Sequence, residues 1–272
     1  MATARICFCI FALSLLLAIA SAYDGHDHAF EFGYSGSHGP DKWGNLDPAF
    51  SACASGKKQS PINIQKNMTS LNKSLKPIVR NYKPANATLI NNGFNIGVRF
   101  EEYVGNISID NKNYSLKQMH WHLPSEHHIH GEQFAAELHL VHKGGDGSLA
   151  VIAILFKEEG ADPLVSKMEG GLKELAKDKC KADEDSVIAL GTLDTKQLNK
   201  SSRKYYRYVG SLTTPPCSET VTWTILGKVR SISKEQIALL QTPVKADCKK
   251  NARPCQPLNG RKIELYDEAK DA

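Results

Sequence analysis

The 272-residue chain has no Cys-x-x-Cys pair, so none of its 7 cysteines marks a dithiol redox centre. It has no internal repeat and no low-complexity tract. Its 12 prolines and 20 glycines are scattered rather than gathered into a linker, which leaves no seam at which to divide it. The formal net charge is +5, yet the basic residues are dispersed and form no stripe interleaved with aromatics. Nucleic acid is therefore not an expected partner. After Ile19 no second apolar stretch follows, so no membrane span is expected.

The one long apolar run, Ile6 to Ile19, follows a single basic residue, Arg5, and ends at Ala20-Ser21-Ala22. A short apolar run closed by small residues is the pattern of a signal peptide rather than an anchor. Cleavage is expected after Ala22, with entry into the secretory pathway; the extracellular space is the expected destination, and other compartments on that route stay open. Losing residues 1–22 lowers the charge to +4 and removes Cys7 and Cys9. Cys53, Cys180, Cys217, Cys248 and Cys255 remain, an odd number that implies at least one free or intermolecularly paired thiol. Cys248 and Cys255 are close enough to close a small loop, with Cys180 as a competitor. Asn-x-Ser/Thr sequons at Asn67, Asn72, Asn86, Asn106, Asn113 and Asn199 are candidate glycan sites in a secreted chain.

Residues 23–32 are polar, with His26 and His28, and read as a flexible N-terminal arm. Residues 33–272 read as one β-rich domain. Ala87 to Phe100 and Val104 to Tyr114 alternate as half-buried strands do, and Ser148 to Phe156 is apolar enough for a buried one. Asp162-Pro163 predicts a helix start, followed by an apolar stripe of Leu164, Val165, Met168, Leu172 and Leu175. Ser233 and Gln236 predict a capping box on a second short helix. The expected class is α/β but β-dominated: a central, mostly antiparallel twisted sheet with short peripheral helices.

Seven of the ten histidines fall between Gln118 and His142. His120 and His122 are two apart in an apolar context, and on a strand such residues share a face about 7 Å apart. Phe134 to Val141 also reads as a strand, with Glu137, His139 and Val141 on one face. Antiparallel pairing of the two would bring three imidazoles to one point. Three neutral histidines without a fourth protein ligand are what a catalytic Zn²⁺ site needs, since the fourth position stays open for water. A metal-bound imidazole gives its other N–H to an acceptor. Gln118 lies on the face of His120, and Glu137 on that of His139.

Gln118-x-His120-x-His122, Ser125-Glu126-His127 and Ala136 to His142 resemble the α-class carbonic anhydrases. Trp121 to His127 is similar to the form found in their secreted plant members, and the likeness runs from about Gly33 to Ile263. The resemblance implies a ten-stranded sheet, a Zn²⁺ cofactor on His120, His122 and His139, and reversible hydration of carbon dioxide to bicarbonate in the apoplast. It implies that Thr213 accepts a hydrogen bond from the attacking hydroxide and donates its own proton to Glu126. It places Thr214 at the substrate, Tyr34 near the floor of the site, and Val141, Val151, Leu212, Val221 and Trp223 on an apolar wall. It also implies a disulfide between Cys53 and Cys217. One departure matters: Phe94-Asn95 follows the Asn91-Asn92-Gly93 turn, where many relatives carry a proton-relaying histidine. The expected enzyme is limited by proton relay. The competing expectation is a carbonic-anhydrase-like storage or binding protein with little or no turnover, as among the tuber dioscorins; the intact ligand set favours the enzyme. Oligomeric state is left open.

Overall fold

The structure is a computed structural model that describes residues 32–177, 186–199 and 202–271. The expected signal segment, most of the N-terminal arm and Cys180 lie outside the described residues. Strand-forming sequence dominates, and ten strands form one continuous path across a twisted sheet. In spatial order these are Ser186–Leu193, Ala85–Asn91, Ile96–Phe100, Lys112–His122, Ala136–Gly144, Leu149–Glu158, Glu219–Leu226, Lys204–Ser211, Ile263–Asp267 and Thr69–Leu71. Most neighbours are antiparallel; the pairs Leu149–Glu158 with Glu219–Leu226 and Ile263–Asp267 with Thr69–Leu71 are parallel. The β-dominated, largely antiparallel architecture is thus as the sequence predicts.

Both alternating segments prove to be hairpins. Ala87 to Phe100 folds back at the Asn92-Gly93 turn, where Gly93 takes φ +85°, and Val104 to Tyr114 folds back at Asp110-Asn111 with φ 50° and 63°. Asp and Asn tolerate that left-handed geometry, which matches the twist of the paired strands. Period-2 alternation alone shows no break at such a turn, because it carries only the in–out pattern.

Two apolar cores flank the sheet. The larger lies under Pro163–Leu175, whose Leu164, Val165, Met168, Leu172 and Leu175 are all buried. Asp162 caps that helix by accepting from Leu164 N and Val165 N at 2.9 and 3.2 Å. Gln236, from the Ser233 capping box, accepts from Asp162 N and donates to Asp162 O at 2.7 and 2.9 Å, so the two helix starts lock together. The smaller core, built on Val141, Val151, Val221, Trp223 and their neighbours, lies on the other face and backs the histidine cluster.

Candidate functional site

Antiparallel pairing of Lys112–His122 with Ala136–Gly144 sets His139 opposite His120 and Glu137 opposite His122. The facing atoms of the three imidazoles lie within 4.8 Å of one another, and His139 Nδ1 is 3.3 Å from His120 Nε2. Each ring is oriented by an oxygen that can only accept, so the ring nitrogen donates. His120 Nδ1 donates to Gln118 Oε1 at 2.8 Å, His122 Nδ1 to Asn251 O at 2.7 Å and His139 Nε2 to Glu137 Oε1 at 2.8 Å. These donations leave His120 Nε2, His122 Nε2 and His139 Nδ1 as lone pairs turned toward one another. Burial lowers the pKa of all three rings, His122 to about 3, and keeps them neutral at pH 7. His122 Nε2 is fully buried with no hydrogen-bond partner. An orphaned acceptor among converging neutral nitrogens fits a divalent cation such as zinc.

Glu137 is the hub behind them. Its Oε2 accepts from Glu126 N and His127 N at 2.9 and 2.7 Å, while Oε1 accepts from His127 Nδ1 and His139 Nε2 at 2.7 and 2.8 Å. Burial opposes its charge, but His127 and His139 outweigh burial and hold its pKa well below the carboxylate range. His127 Nε2 accepts from Tyr208 OH at 2.7 Å, and Ser60 Oγ donates to that hydroxyl at 2.8 Å. A second triad of potential ligand atoms, His127, Glu137 and His139, is therefore consumed by its own hydrogen bonds.

Glu126 is equally buried and behaves oppositely. Burial, then the Glu137 charge, push its pKa well up; Thr213 and Arg253 act against them. Arg253 N donates to Glu126 Oε1 at 2.9 Å, whereas Oε2 has no partner in hydrogen-bonding geometry. The Thr213 hydroxyl is the neighbouring donor that can serve it.

Above the histidines opens a cavity of about 360 Å³. Thr213, Thr214, Val141, Val151, Leu212 and Trp223 line it, together with Gln118. Val221 is 1 % exposed and packs with Trp223 in the smaller core without lining the cavity. Half-buried Phe32, Phe50 and Phe94 add an aromatic rim, with the Phe32 and Phe94 rings 4.8 Å apart. Phe32, the last residue of the expected arm, also packs edge-on against Trp43 at 5.4 Å. Tyr34 sits 5.5 Å from Trp43, its hydroxyl buried and unpartnered, with its pKa raised by burial and by Glu126.

Cys53 and Cys217 are joined by a disulfide across 164 residues of sequence. Arg253 stitches the same region, donating to Cys53 O, Gln59 Oε1 and Ser60 O at 2.8–2.9 Å. Cys248 and Cys255 are not bonded to each other; Cys255 is a half-buried thiol whose pKa burial raises to about 12.

Sequence reasoning missed Asn251, Arg253 and the Glu137 partnership of His127. Asn251 is the fullest case: besides receiving the His122 proton, it accepts from Leu123 N and donates to Phe94 O, both at 2.8 Å. It lies 129 residues from His122, in a loop with no periodic pattern to mark it.

A sequence profile of the eukaryotic-type carbonic anhydrases matches residues 38–267. Alpha carbonic anhydrase 7 of Arabidopsis thaliana is 39 % identical over 262 residues, 94 % of each chain. Dioscorin dioA3 of Dioscorea japonica is 37 % identical over 257 residues, 94 % of this chain and 93 % of its own. Among solved structures, dioscorin complexed with ascorbate superposes with TM-score 0.84 at 38 % identity, covering 88 % of this chain and 98 % of that one. The α-carbonic anhydrase of Thermovibrio ammonificans, complexed with sulfanilamide, gives 0.75 at 35 % identity, covering 86 % and 98 %. The chain belongs to the eukaryotic-type, or α-class, carbonic anhydrase family.

Proposed function

We propose that this protein is a secreted, zinc-dependent carbonic anhydrase whose turnover is limited by proton export. The observation that carries the reading is the convergence of three neutral imidazole lone pairs, each ring braced by a dedicated acceptor. Zinc on His120, His122 and His139 would supply Lewis acidity that makes hydroxide available near neutral pH, the behaviour for which carbonic anhydrase is the reference case.

The remaining work falls to the chain. With Glu126 ionised, the Thr213 hydroxyl donates its hydrogen bond to that carboxylate and can then only accept from hydroxide, which selects that nucleophile and aims it. Val141, Val151, Leu212 and Trp223 offer carbon dioxide an apolar bed that competes poorly for water. Thr214 lies beside them. Glu137 keeps the His139 Nε2 proton in place, so that Nδ1 remains a lone pair. The proton released on hydration has no side-chain carrier: among the described lining residues the ionisable ones are Arg99, His120 and His139, and both imidazoles are held neutral. Phe94 stands where a relay would be useful and cannot carry a proton.

That same Phe94, packed on Phe32, favours a second reading as a binding or storage protein with little turnover, in the manner suggested by the dioscorin relatives. Zinc content and stopped-flow carbon dioxide hydration separate the two, measured on the wild type and His139→Gln. The enzyme reading expects one zinc per chain, hydration that collapses in the variant, and a rate that climbs with imidazole buffer. Zinc-loaded protein that stays inactive at high buffer would leave only the binding reading.

Export by way of residues 1–22 belongs to this proposal. So does glycan attachment at the exposed Asn67, Asn86 and Asn113. Asn72 and Asn199 are half-buried, and their Nδ2 atoms already donate to Glu264 Oε1 and Tyr82 O at 2.7 and 2.6 Å. Asn106 is half-buried as well. These three are the poorer glycan sites.

A further inference from the structure

Carbon dioxide is far smaller than the cavity above the histidines, and the surplus space has a directional chemistry. Strand pairing lays out one lateral row across four joints: Arg99 beside Gln118, Gln118 beside Val141, Val141 beside Val151 and Val151 beside Trp223. Gly97, His120, His139 and Ala153 form the adjacent row, two residues further along each strand. All of the first row lines the cavity. It therefore runs from a guanidinium through an amide to a purely apolar surface, one step away from the metal-binding row. Arg99 is half-buried and has no carboxylate within ion-pair distance among the described residues. No Asp or Glu appears among the described residues that line the cavity. Among the described residues the sole fixed side-chain charge facing this space is positive.

We propose that the outer part of the cavity binds a small organic carboxylate, its anionic end on Arg99 and its apolar body across Val141 and Val151. Neighbouring strands lie about 4.8 Å apart, so Arg99 and Val141 are about 10 Å apart at their Cα atoms. An acid with a short arm and one ring spans that interval once the arginine side chain reaches inward. The planar guanidinium pairs with a carboxylate through two parallel hydrogen bonds, which it cannot form with a neutral amide. The half-buried setting strengthens that preference over what an exposed arginine would show. The proposal concerns binding alone and does not need the enzyme to turn over, so hydration activity and ligand affinity are read separately.

The test is calorimetric titration of the zinc-loaded mature protein with 3-phenylpropionate and, as the neutral isostere, 3-phenylpropionamide. The acid should bind about tenfold or more tightly than the amide. Arg99→Gln should bring the acid down to the affinity of the amide with zinc content unchanged, and Arg99→Lys should recover part of the difference. Equal binding of acid and amide by the wild type would overturn the proposal. So would acid binding that survives Arg99→Gln, since the carboxylate would then be sitting on the metal. A circular-dichroism melt of each variant confirms that lost binding is not lost fold.

Discussion

His139 and His142 lie three residues apart on one strand, both essentially buried, yet on opposite faces of the sheet they do different things. His139 meets two other imidazoles and a carboxylate. His142 sits in the larger core, where Nδ1 donates to Ala150 O at 3.2 Å and Nε2 accepts from Tyr82 OH at 2.6 Å. Every polar atom of the second ring is satisfied within the protein; the first keeps one lone pair uncommitted. Burial makes both rings neutral, so neutrality alone does not make a ligand. The difference lies in what is left over after local hydrogen bonding.

The strongest way to break this contrast is to remove the acceptor that creates the leftover lone pair. Glu137→Gln places a carboxamide where four donors converge. Chelator-competition titration should show zinc affinity falling about 10–100-fold, and denaturant melts should show about 3–5 kcal/mol of lost stability. Unchanged zinc affinity would mean that His139 holds its tautomer without help.

The Cys53–Cys217 bridge ties the Thr213 segment to the N-terminal helices on the side of His139 only. Cys53→Ser should cost about 2–4 kcal/mol in an equilibrium melt under oxidising conditions. The wild type under strong reductant should approach the variant, and hydration should fall further than zinc content does.

On the opposite face, His142→Gln should cost about 1–3 kcal/mol at pH 7 and leave zinc binding intact. Acid sharpens the point. The folded pKa of His142 is lowered to about 3 by burial, against an ordinary 6.5. Between those values the unfolded chain takes up a proton that the folded chain refuses, so stability falls as pH drops through that window. Protonation at Nε2 would make the ring the donor, so the Tyr82 hydroxyl would have to turn its own O–H away from His142 to accept. Melts of wild type and variant from pH 7 to 4 should therefore converge, the wild type losing more. Parallel curves would remove His142 from the acid response.

Phe94→His should have the smallest effect on the fold, about 1 kcal/mol from the lost ring contact with Phe32. It should raise hydration in weak buffer and reduce the benefit of added imidazole. No change in buffer dependence would place the rate limit elsewhere.

The three converging histidines, Glu137, Gln118 and the Pro163–Leu175 helix were legible because strand and helix periodicity carry local chemistry. His120 with His122, and Glu137 with His139, are each two apart, and alternation puts such pairs on one face whatever the rest of the chain does. The turn at Asp110-Asn111 was hidden because the alternating pattern resumes after it. Glu137, two residues away on the same face, separates His139 from His142 locally, whereas the Tyr82 partner of His142 comes from 60 residues away and leaves no local mark.

Composition and the spacing of apolar residues were enough to determine the β-rich class, and the spacing of the histidines and Glu137 was enough to set candidate metal ligands on shared strand faces. These depend on residue type and on periods of two or 3.6, which any chain carries before it folds. Tertiary structure alone decided that Asn251 O accepts from His122 Nδ1, that Arg253 serves both Glu126 and the disulfide region, and that Arg99 faces a cavity whose described lining holds no acid. Those outcomes depend on which strands become neighbours. Pairing energy and shared core packing choose those neighbours over separations of a hundred residues or more, beyond the reach of any local pattern.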